Sequence, residues 1–400
     1  MRIENLNKPI RIGLKTAPNR IVYQPSESNN ADNEGSVTEA TLKRYRKCAE
    51  GKPGILYVES LDVTRSTQAR TNRLLIMDEN RKDLARLVEE IRTINEKSLI
   101  IFQLSHAGRL SDPQLKPPVY VYDTGDPDGH VLTTEEVAAT KQEFVRAACI
   151  AREVGADGVD VKHAHGFICD DFLHPANQRN DQYGGSFENR TRFFRETISE
   201  IRDAIKDKSF IIGTRISPYE GIPGGCGTSG PDELLEDLTE MLSFARMIEE
   251  EGLSFINVSA GFANANLEIL MPTDTYPEGV FRLFSWTRTI KEAVEVPVIG
   301  SGYSYLSDGE NNIFANDKEK RSLLYWAEKN IEQGHTDLIG IGRQAIADPL
   351  FAHKVVSGEL DDINYCTACN GCGILLVNQH KVGCIVYDEE YKKLYARLGL

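Results

Sequence analysis

The sequence predicts an α/β fold, a (β/α)8 barrel with a short cysteine-rich extension after its last unit. Eight short apolar runs alternate with eight longer stretches of helical pattern up to residue 357. The apolar runs are nearly continuous, as expected for parallel strands that are covered on both faces. A doubly wound sheet is the structural alternative. It would require an early Gly-x-Gly-x-x-Gly turn, which this sequence lacks.

Each predicted strand is an apolar run of five to seven residues. In chain order the eight strands are predicted at 20–24, 54–60, 99–104, 158–163, 210–216, 254–259, 296–302 and 337–342. Because every strand is followed by a helical pattern, the number and order of elements match a (β/α)8 barrel whose helices form an outer layer.

A helix is predicted after each strand, and two of the helices carry clear start signals. Thr133 and Glu136 form a capping-box pattern before the third helix. The fourth begins after Ser186, with Glu188 in its first turn, where negative charge suits the helix dipole. The predicted helices are 38–50, 80–95, 134–154, 188–206, 233–251, 284–294, 318–333 and 348–357. Long loops, which a barrel places at its active-site face, are expected at 164–187, 217–232 and 260–283.

Composition and charge exclude several classes of protein. The 400 residues carry a formal charge of −14, which argues against binding to nucleic acid or to anionic membranes. The N-terminus has no apolar stretch typical of a signal peptide, and no run approaches the roughly 18 apolar residues of a membrane span. Eight cysteines without export signals indicate reduced thiols. We expect a cytoplasmic homo-oligomer that acts on a small molecule, with a barrel at 1–360 and a cysteine-rich clip at 361–400.

Four cysteines near the end of the chain indicate a metal centre. Cys366, Cys369, Cys372 and Cys384 are spaced Cys-x2-Cys-x2-Cys-x11-Cys. Three thiolates within seven residues suit a 4Fe–4S cluster, whereas structural zinc sites usually divide their ligands into two separate pairs. The other four cysteines are scattered and are interpreted as core or loop residues. The pattern therefore predicts an electron-transferring cluster.

Polar residues at the strand ends predict a ligand across the barrel mouth. Gly300-Ser301-Gly302 after the seventh strand allows close approach of backbone N–H groups to an anion. Gly342-Arg343 after the eighth strand adds a guanidinium suited to phosphate, and phosphate sites are common at these two strand ends. Polar side chains at other strand ends are Gln24, Glu59, Ser60, Gln103, Lys162, His163, His165 and Arg215.

If the phosphate belongs to FMN, the remaining polar groups have defined roles. Gln103 can bond the pyrimidine edge of the flavin, and Arg215 near that edge can stabilise the reduced, anionic form. Lys162 and His165 can hold a carbonyl or carboxylate and stabilise negative charge that develops on it. The alternative for Lys162 is a salt bridge inside the barrel with Glu59 or Asp160. His163 points away from Lys162 and is left out of the site. For His106 and Arg109, loop structure and substrate contact both stay open.

Five stretches of sequence carry a family resemblance. The longest is HAHGFICDDFLHPANQRNDQYGGSFENRTRF at 163–193, which ends in Gln182-Tyr-Gly-Gly-Ser-x-Glu-Asn-Arg190. The other stretches are Asn19-Arg20 with Pro25, QLSHAGR (103–109), GTRIS (213–217) and IGIGRQAIADPLF (339–351). From about Pro18 to Leu350 the chain resembles the old yellow enzyme family of FMN-dependent oxidoreductases.

The resemblance implies a TIM barrel with noncovalent FMN at its mouth. Lys162 and His165 match the two positions that usually hold the activating group of the substrate. Two residues after His165 the family usually has a tyrosine that donates a proton, but here the residue is Phe167. Either another acid such as Lys162, Tyr23 or Tyr219 donates the proton, or water does, or the reaction is not the standard ene reduction. The positions that the resemblance assigns to FMN are Gln24, Pro25, Ser60, Gln103, Arg215, Gly302, Gly342 and Arg343.

The cysteine extension is similar to that of the branch containing trimethylamine dehydrogenase and bacterial 2,4-dienoyl-CoA reductase, whose barrels carry a 4Fe–4S cluster. The resemblance implies reduction of an activated C=C bond by hydride transfer from flavin N5. Electrons would come from NAD(P)H or from a partner redox protein or subunit. One alternative is an amine dehydrogenase that passes electrons out through the cluster. A non-redox barrel with structural zinc is the other.

Overall fold

Eight parallel strands close into a barrel, which confirms the predicted fold class. The structure, a computed structural model, describes residues 3–263, 265–272, 275–306 and 322–400. Around the barrel the strand order is β10-β11-β12-β3-β4-β5-β8-β9. The strands are β1 (Ile10–Ile12), β2 (Lys15–Ala17), β3 (Ile21–Tyr23), β4 (Ile55–Asp62), β5 (Leu99–Ser105), β6 (Val119–Tyr120), β7 (His130–Val131), β8 (Gly158–His163), β9 (Ile211–Ile216), β10 (Ile256–Val258), β11 (Val298–Gly300) and β12 (Leu338–Ile341).

The N-terminal end of the barrel is sealed by a hairpin that the sequence analysis missed. Strands β1 and β2 pair antiparallel, with Ile10 opposite Ala17. Ile12 and Ala17 are fully buried and pack in one cluster with Ile55 and Leu99, the first residues of β4 and β5. Because this apolar plug fills one end, the polar residues at the opposite strand ends are left to line a site.

Helices surround the barrel, and the predicted capping box is present. The Glu136 N–H donates to Thr133 Oγ1 (3.2 Å), and the Thr133 N–H donates to Glu136 Oε2 (2.8 Å). None of the helices that the structure describes is both long and apolar enough to cross a bilayer. The helices are α1 (Glu39–Glu50), α2 (Arg81–Ile94), α3 (Thr134–Glu153), α4 (Ile168–Leu173), α5 (Phe187–Arg190), α6 (Arg192–Ile205), α7 (Thr239–Glu250), α8 (Leu267–Leu270), α9 (Glu278–Lys291), α10 (Leu323–Glu332), α11 (Arg343–Ala347), α12 (Phe351–Ser357), α13 (Gly371–Val377) and α14 (Glu389–Leu398).

Several predicted helix boundaries were wrong. The stretch 188–206 is two helices, because the chain turns at Thr191 between α5 and α6. Helix α7 begins at Thr239 and not at 233, because Glu236 pairs with Thr228 in an isolated β-bridge. The start predicted for the helix at 284 lies inside α9, which begins directly after Pro277.

The last two predicted helices differ in other ways. The helix predicted at 348–357 is α12, which begins at Phe351, and the short helix α11, which ends at Ala347 before the predicted range, was not predicted. The predicted start at 318 lies outside the described residues, and α10 covers Leu323–Glu332.

The C-terminal extension lies against the first and eighth barrel units. The Val382 N–H donates to the Ser28 carbonyl (2.9 Å), and Asn29 Nδ2 donates to the His380 carbonyl (3.0 Å). Near β12, the Cys366 N–H donates to Oε1 of Gln344 (2.9 Å). These backbone contacts hold the cysteine segment beside the C-terminal ends of β3 and β12.

Candidate active site

A cavity of about 270 Å³ lies at the C-terminal ends of the barrel strands. One wall includes Cys372 from the extension, so the cysteine segment and the barrel mouth share this space. Six residues proposed from sequence line the same cavity, although they come from five different strand ends: Pro25, Gln103, Lys162, His165, Arg215 and Arg343.

A buried carboxylate inside the barrel orients Gln103 and Arg215. Asp160, fully buried on β8, accepts hydrogen bonds from Gln103 Nε2 (3.3 Å) and from the Arg215 N–H (3.0 Å). Tyr57 Oη donates to the same carboxylate (2.8 Å). Arg215 Nη2 donates to Ser259 Oγ (3.0 Å), whereas its buried Nε has no hydrogen-bond partner among the residues that the structure describes. The site therefore keeps one guanidinium N–H available for a bound ligand.

Lys162 is buried in the cavity wall, and no carboxylate of the described ranges forms an ion pair with it. Its Nζ lies 3.3 Å from Ser60 Oγ and 3.2 Å from the centroid of the Phe167 ring. The alternative salt bridge to Glu59 or Asp160 does not form among the described residues. Glu59 bonds Ser28 instead, at 2.8 Å between Oε1 and Oγ.

The electrostatic environment of Lys162 favours the neutral amine. Burial lowers the pKa of Lys162 to about 7, and the Glu27 carboxylate offsets part of that effect. Glu27 itself is paired with Arg70 (2.9 Å) and Arg73 (3.2 Å). Because an amine with a pKa near neutrality can both donate and accept a proton, Lys162 suits acid–base chemistry.

His165 is held in an uncommon backbone conformation beside Arg215. Its φ of 67° lies in the left-handed region, and its N–H donates to Ser217 Oγ (3.2 Å). Its Nε2 lies 2.8 Å from Ser259 Oγ, the hydroxyl that also bonds Arg215. Burial, with the positive charges of Arg215 and Lys162, holds the pKa of His165 well below its usual value. A neutral His165 can donate one hydrogen bond to a substrate oxygen or accept one from it.

Arg343 presents a free nitrogen at another part of the cavity. Its Nη2 donates to Asn370 Oδ1 (3.0 Å) in the extension, and its guanidinium lies 5.1 Å from the Tyr305 ring centroid. Its Nη1 is buried and has no hydrogen-bond partner within the described ranges of the chain. Such a nitrogen suits a phosphate oxygen, because a charged donor forms a strong, directed hydrogen bond.

Five residues assigned to FMN do not line this cavity. Gln24 exchanges two hydrogen bonds with Asn257 (2.9 and 2.8 Å), and it lines a neighbouring cavity of about 350 Å³, as Gly342 does. Ser60 Oγ bonds Ser105 (2.9 Å) under Lys162. The remaining two, Ser301 and Gly302, lie on the turn that leads into the 3-10 helix Tyr303–Tyr305. That turn needs glycine, because Gly302 has a φ of 97°.

The tail cysteines gather beside the cavity. Cys372 lines it, and Cys384 lines the neighbouring cavity, whereas Cys369 is exposed. Burial, with the negative charge that Cys372 and Cys369 carry as thiolates, raises the pKa of Cys366 to about 12. Four thiols in one short segment, close enough to oppose ionisation of one another, fit a cationic metal centre.

The candidate proton-donating side chains lie in different parts of the structure. Tyr23 Oη donates to the Pro349 carbonyl (2.8 Å), and Tyr219 Oη donates to the Leu234 carbonyl (2.8 Å). Neither tyrosine lines the cavity that contains Lys162. Among the side chains considered, Lys162 alone has its acidic group in this space.

His106 and Arg109, in the loop after β5, make contacts within and between loops. His106 Nδ1 accepts the Gly108 N–H (3.1 Å), and Arg109 Nε donates to Asp171 Oδ2 (2.7 Å). Both side chains therefore support loop structure, and neither lines the cavity.

His163 packs outward against Phe194, at 5.2 Å between ring centroids.

Comparison with known proteins identifies the chain's relatives. Residues 5–362 match the NADH:flavin oxidoreductase / NADH oxidase family. An NADH oxidase from Thermoanaerobacter brockii is 32% identical over 379 residues, which cover 92% of this chain and 53% of that protein. The chain thus spans about half the length of this curated relative.

Solved structures share the fold. A 2-naphthoyl-CoA reductase in complex with 2-naphthoyl-CoA superposes with a TM-score of 0.82 at 23% identity, covering 98% of this chain and 58% of that one. Histamine dehydrogenase from Rhizobium sp. 4-9 gives 0.75 at 23% identity, covering 96% and 52%. At this level of identity the likeness establishes the common architecture of barrel and extension.

Proposed function

The chain belongs to the NADH:flavin oxidoreductase / NADH oxidase family, and from that premise we propose that it reduces an activated C=C bond with FMN and a 4Fe–4S cluster. The single observation that supports this most is the shared cavity. Arg215, Lys162 and His165 of the barrel line the same space as Cys372 of the cysteine segment. A flavin in that space would lie next to a cluster.

The residues of the cavity fit FMN. Arg343 Nη1 and Arg215 Nε are buried cationic N–H groups that have no partner in the described part of the chain, as expected where a ligand supplies the acceptors. Arg343 would hold the phosphate, and Gln103 with Arg215 would hold the pyrimidine edge. FMN supplies hydride chemistry when it is bound. Arg215 would favour the reduced cofactor, because its positive charge is held close to the site by Ser259.

Lys162 and His165 would orient and polarise the substrate. Both line the cavity. Lys162 lies near the end of β8, and His165 lies in the loop that follows this strand. A carbonyl or carboxylate oxygen held by these groups would gain stabilisation as negative charge develops on it. Lys162 would then supply the proton, because Phe167 cannot.

The cysteine segment fits a 4Fe–4S cluster through its donor set. Cys366, Cys369, Cys372 and Cys384 offer four thiolates, the usual ligands of such a cluster. A cluster transfers single electrons, and it would connect the flavin site with NAD(P)H-derived electrons or with a partner protein. Cys369 is exposed, so a cluster bound through it would lie near the surface, where a partner could approach.

The test uses the anaerobically purified full chain. Its visible spectrum should show flavin bands over a broad cluster absorbance, and dithionite should bleach the flavin. Addition of a cyclic enone should restore the oxidised flavin, whereas the matched saturated ketone should not. Protein without flavin, or reduced flavin that the enone leaves unchanged, would contradict the proposal. If NAD(P)H fully reduces the flavin at catalytic rates, no partner protein is required.

A second candidate is an amine dehydrogenase. It is favoured by Phe167, which occupies the position of the usual proton donor, and by the similarity in fold to histamine dehydrogenase. In that case electrons would leave through the cysteine segment. Flavin bleaching by amines, with no response to enones, would select this candidate. A colourless protein that contains zinc but no iron would instead select the non-redox alternative.

A further inference from the structure

A buried cluster of four potential metal ligands lies behind the active-site loops. Asp170, His174, Glu220 and Cys226 each offer one ligand atom, and these four atoms all lie within 4.8 Å of one another. All four side chains are at most 1% exposed. The first two come from α4 and the residue after it, and the other two come from the loop after β9.

Two polar atoms of these side chains lack a hydrogen-bond partner in the part of the chain that the structure describes. His174 Nε2 and Glu220 Oε1 are buried without a partner among the described residues. Nε2 lies 2.7 Å from Glu220 Oε2, but the contact does not have hydrogen-bond geometry. Buried polar atoms are rarely left in this condition, so the pair points to a ligand that binds both.

Other groups occupy the remaining atoms of these side chains. The Gly166 N–H donates to Asp170 Oδ2 (2.9 Å), and the Cys226 N–H donates to Glu220 Oε2 (2.9 Å). Tyr122 Oη lies 2.9 Å from Nδ1 of His174. Each contact restricts the orientation of its side chain. Outer partners of this kind orient the ligands of metal sites.

The charge of the cluster also favours a bound cation, because without one the buried Asp170 and Glu220 carboxyl groups must share a proton; burial raises the pKa of both. Two fully buried carboxylates, Asp170 and Glu220, face one another with an imidazole and a thiol. The nearby Arg109 forms an ion pair with Asp171, at 2.7 Å between Nε and Oδ2, and not with Asp170 or Glu220. Buried carboxylates without a cation or a shared proton are strongly unfavourable.

We propose that Asp170, His174, Glu220 and Cys226 bind a divalent transition-metal ion, and that zinc fits the site best. Zinc accepts nitrogen, sulfur and carboxylate oxygen in a tetrahedral arrangement. The Cys226 thiol, whose Sγ lies 3.4 Å from Asp170 Oδ1, loses its proton to solvent when the metal binds. No redox change is involved.

The ion would act as a structural tie between two catalytic loops. The Gly166 N–H that bonds Asp170 immediately follows His165, and the loop after β9 begins at Ser217, which bonds the His165 N–H. A metal that joins α4 to the second loop would therefore hold His165 in its left-handed conformation. Its role differs from that of the cysteine segment.

The first test measures metal content of the full chain. The purified protein is dialysed against Zn²⁺ and then against metal-free buffer, and zinc is counted by mass spectrometry. We expect about one zinc per chain in the wild type and in Cys169→Ser, a buried thiol on α4 outside the ligand set. We expect loss of zinc in Cys226→Ser and in His174→Ala. Wild-type protein that retains no zinc overturns the proposal, and a shared proton then explains the carboxylate pair.

Two further measurements keep the test decisive if a variant does not fold. A chelator should lower the melting temperature of the wild type, and Zn²⁺ should restore it. Tyr122→Phe, which removes the hydroxyl that contacts His174 Nδ1, should weaken zinc affinity about 10–100-fold while the fold is retained. An unchanged melting temperature under the chelator, or unchanged affinity in Tyr122→Phe, contradicts the assignment. Zinc content is independent of flavin, so this outcome is separable from the proposed reaction.

Discussion

Replacement of Lys162 tests the proposed proton donor. Lys162→Met keeps a long, unbranched side chain against the Phe167 ring but removes the ammonium group. Lys162→Arg keeps a positive charge that stays protonated across the physiological range. If Lys162 donates the proton, the wild-type rate should follow its protonated fraction, and each variant should lose that dependence for a different reason.

The magnitude follows from a pKa of about 7, set mainly by burial. The protonated fraction of Lys162 falls from about 90% at pH 6 to about 10% at pH 8, so the rate should fall roughly tenfold over that interval. In Lys162→Met the rate should be about 10²–10⁴-fold lower and flat. Lys162→Arg should also be flat, but faster than Lys162→Met because it retains the charge.

The contribution of Lys162 to folding stability changes with pH in the opposite direction to that of a lysine in an ion pair. The folded-state pKa lies below the unfolded value of about 10.4, so the unfolded chain binds more protons between pH 7 and pH 10. The contribution of Lys162 to stability therefore rises with pH in that window, and at pH 6 its burial is a cost. Lys162→Met should not lower the melting temperature at pH 6, which separates lost chemistry from lost structure.

The assay is anaerobic stopped-flow reoxidation of the dithionite-reduced protein by a cyclic enone from pH 5.5 to 8.5. Melting temperatures of all three proteins are recorded at pH 6. A wild-type rate that is flat, or that rises with pH, would refute the assignment. So would a Lys162→Met variant that reacts at the wild-type rate with the wild-type pH profile.

Three other predictions concern the cofactors. Arg215→Ala should slow flavin reduction more than it lowers the melting temperature, and normal reduction kinetics would show that Arg215 does not face the pyrimidine edge. Arg343→Ala should weaken FMN binding about 10–100-fold, because it removes a charge-assisted phosphate contact; unchanged affinity in a fluorescence titration would contradict it. Cys369→Ala should lose iron but retain FMN, and unchanged iron content would remove the cluster assignment.

The sequence predicted the barrel and much of the cavity lining because both depend on local patterns. Gln103, Lys162 and Arg215 could be predicted because they lie at strand ends, which meet at one face of a barrel. The cysteine segment could be predicted because three of its cysteines lie within seven residues. Ser301 and Gly302 follow the same logic, but the turn into Tyr303–Tyr305 takes them away from the cavity wall.

The missed features depend on contacts between distant segments. Asp160 and Ser259 orient the site residues from strands far apart in the chain, and no local pattern marks them. The ligand set of Asp170 and Cys226 joins two loops more than 50 residues apart, so it becomes visible only in three dimensions. The β1–β2 hairpin consists of three-residue strands, too short for an apolar periodicity to predict.

An anaerobic crystal structure of the purified chain, with data collected at the iron absorption edge, tests the central claim most directly. The account predicts FMN density in the cavity lined by Lys162, His165 and Arg215. It also predicts a compact iron peak among Cys366, Cys369, Cys372 and Cys384, adjacent to the flavin. Flavin density elsewhere, or four free thiols with no iron signal, would contradict it.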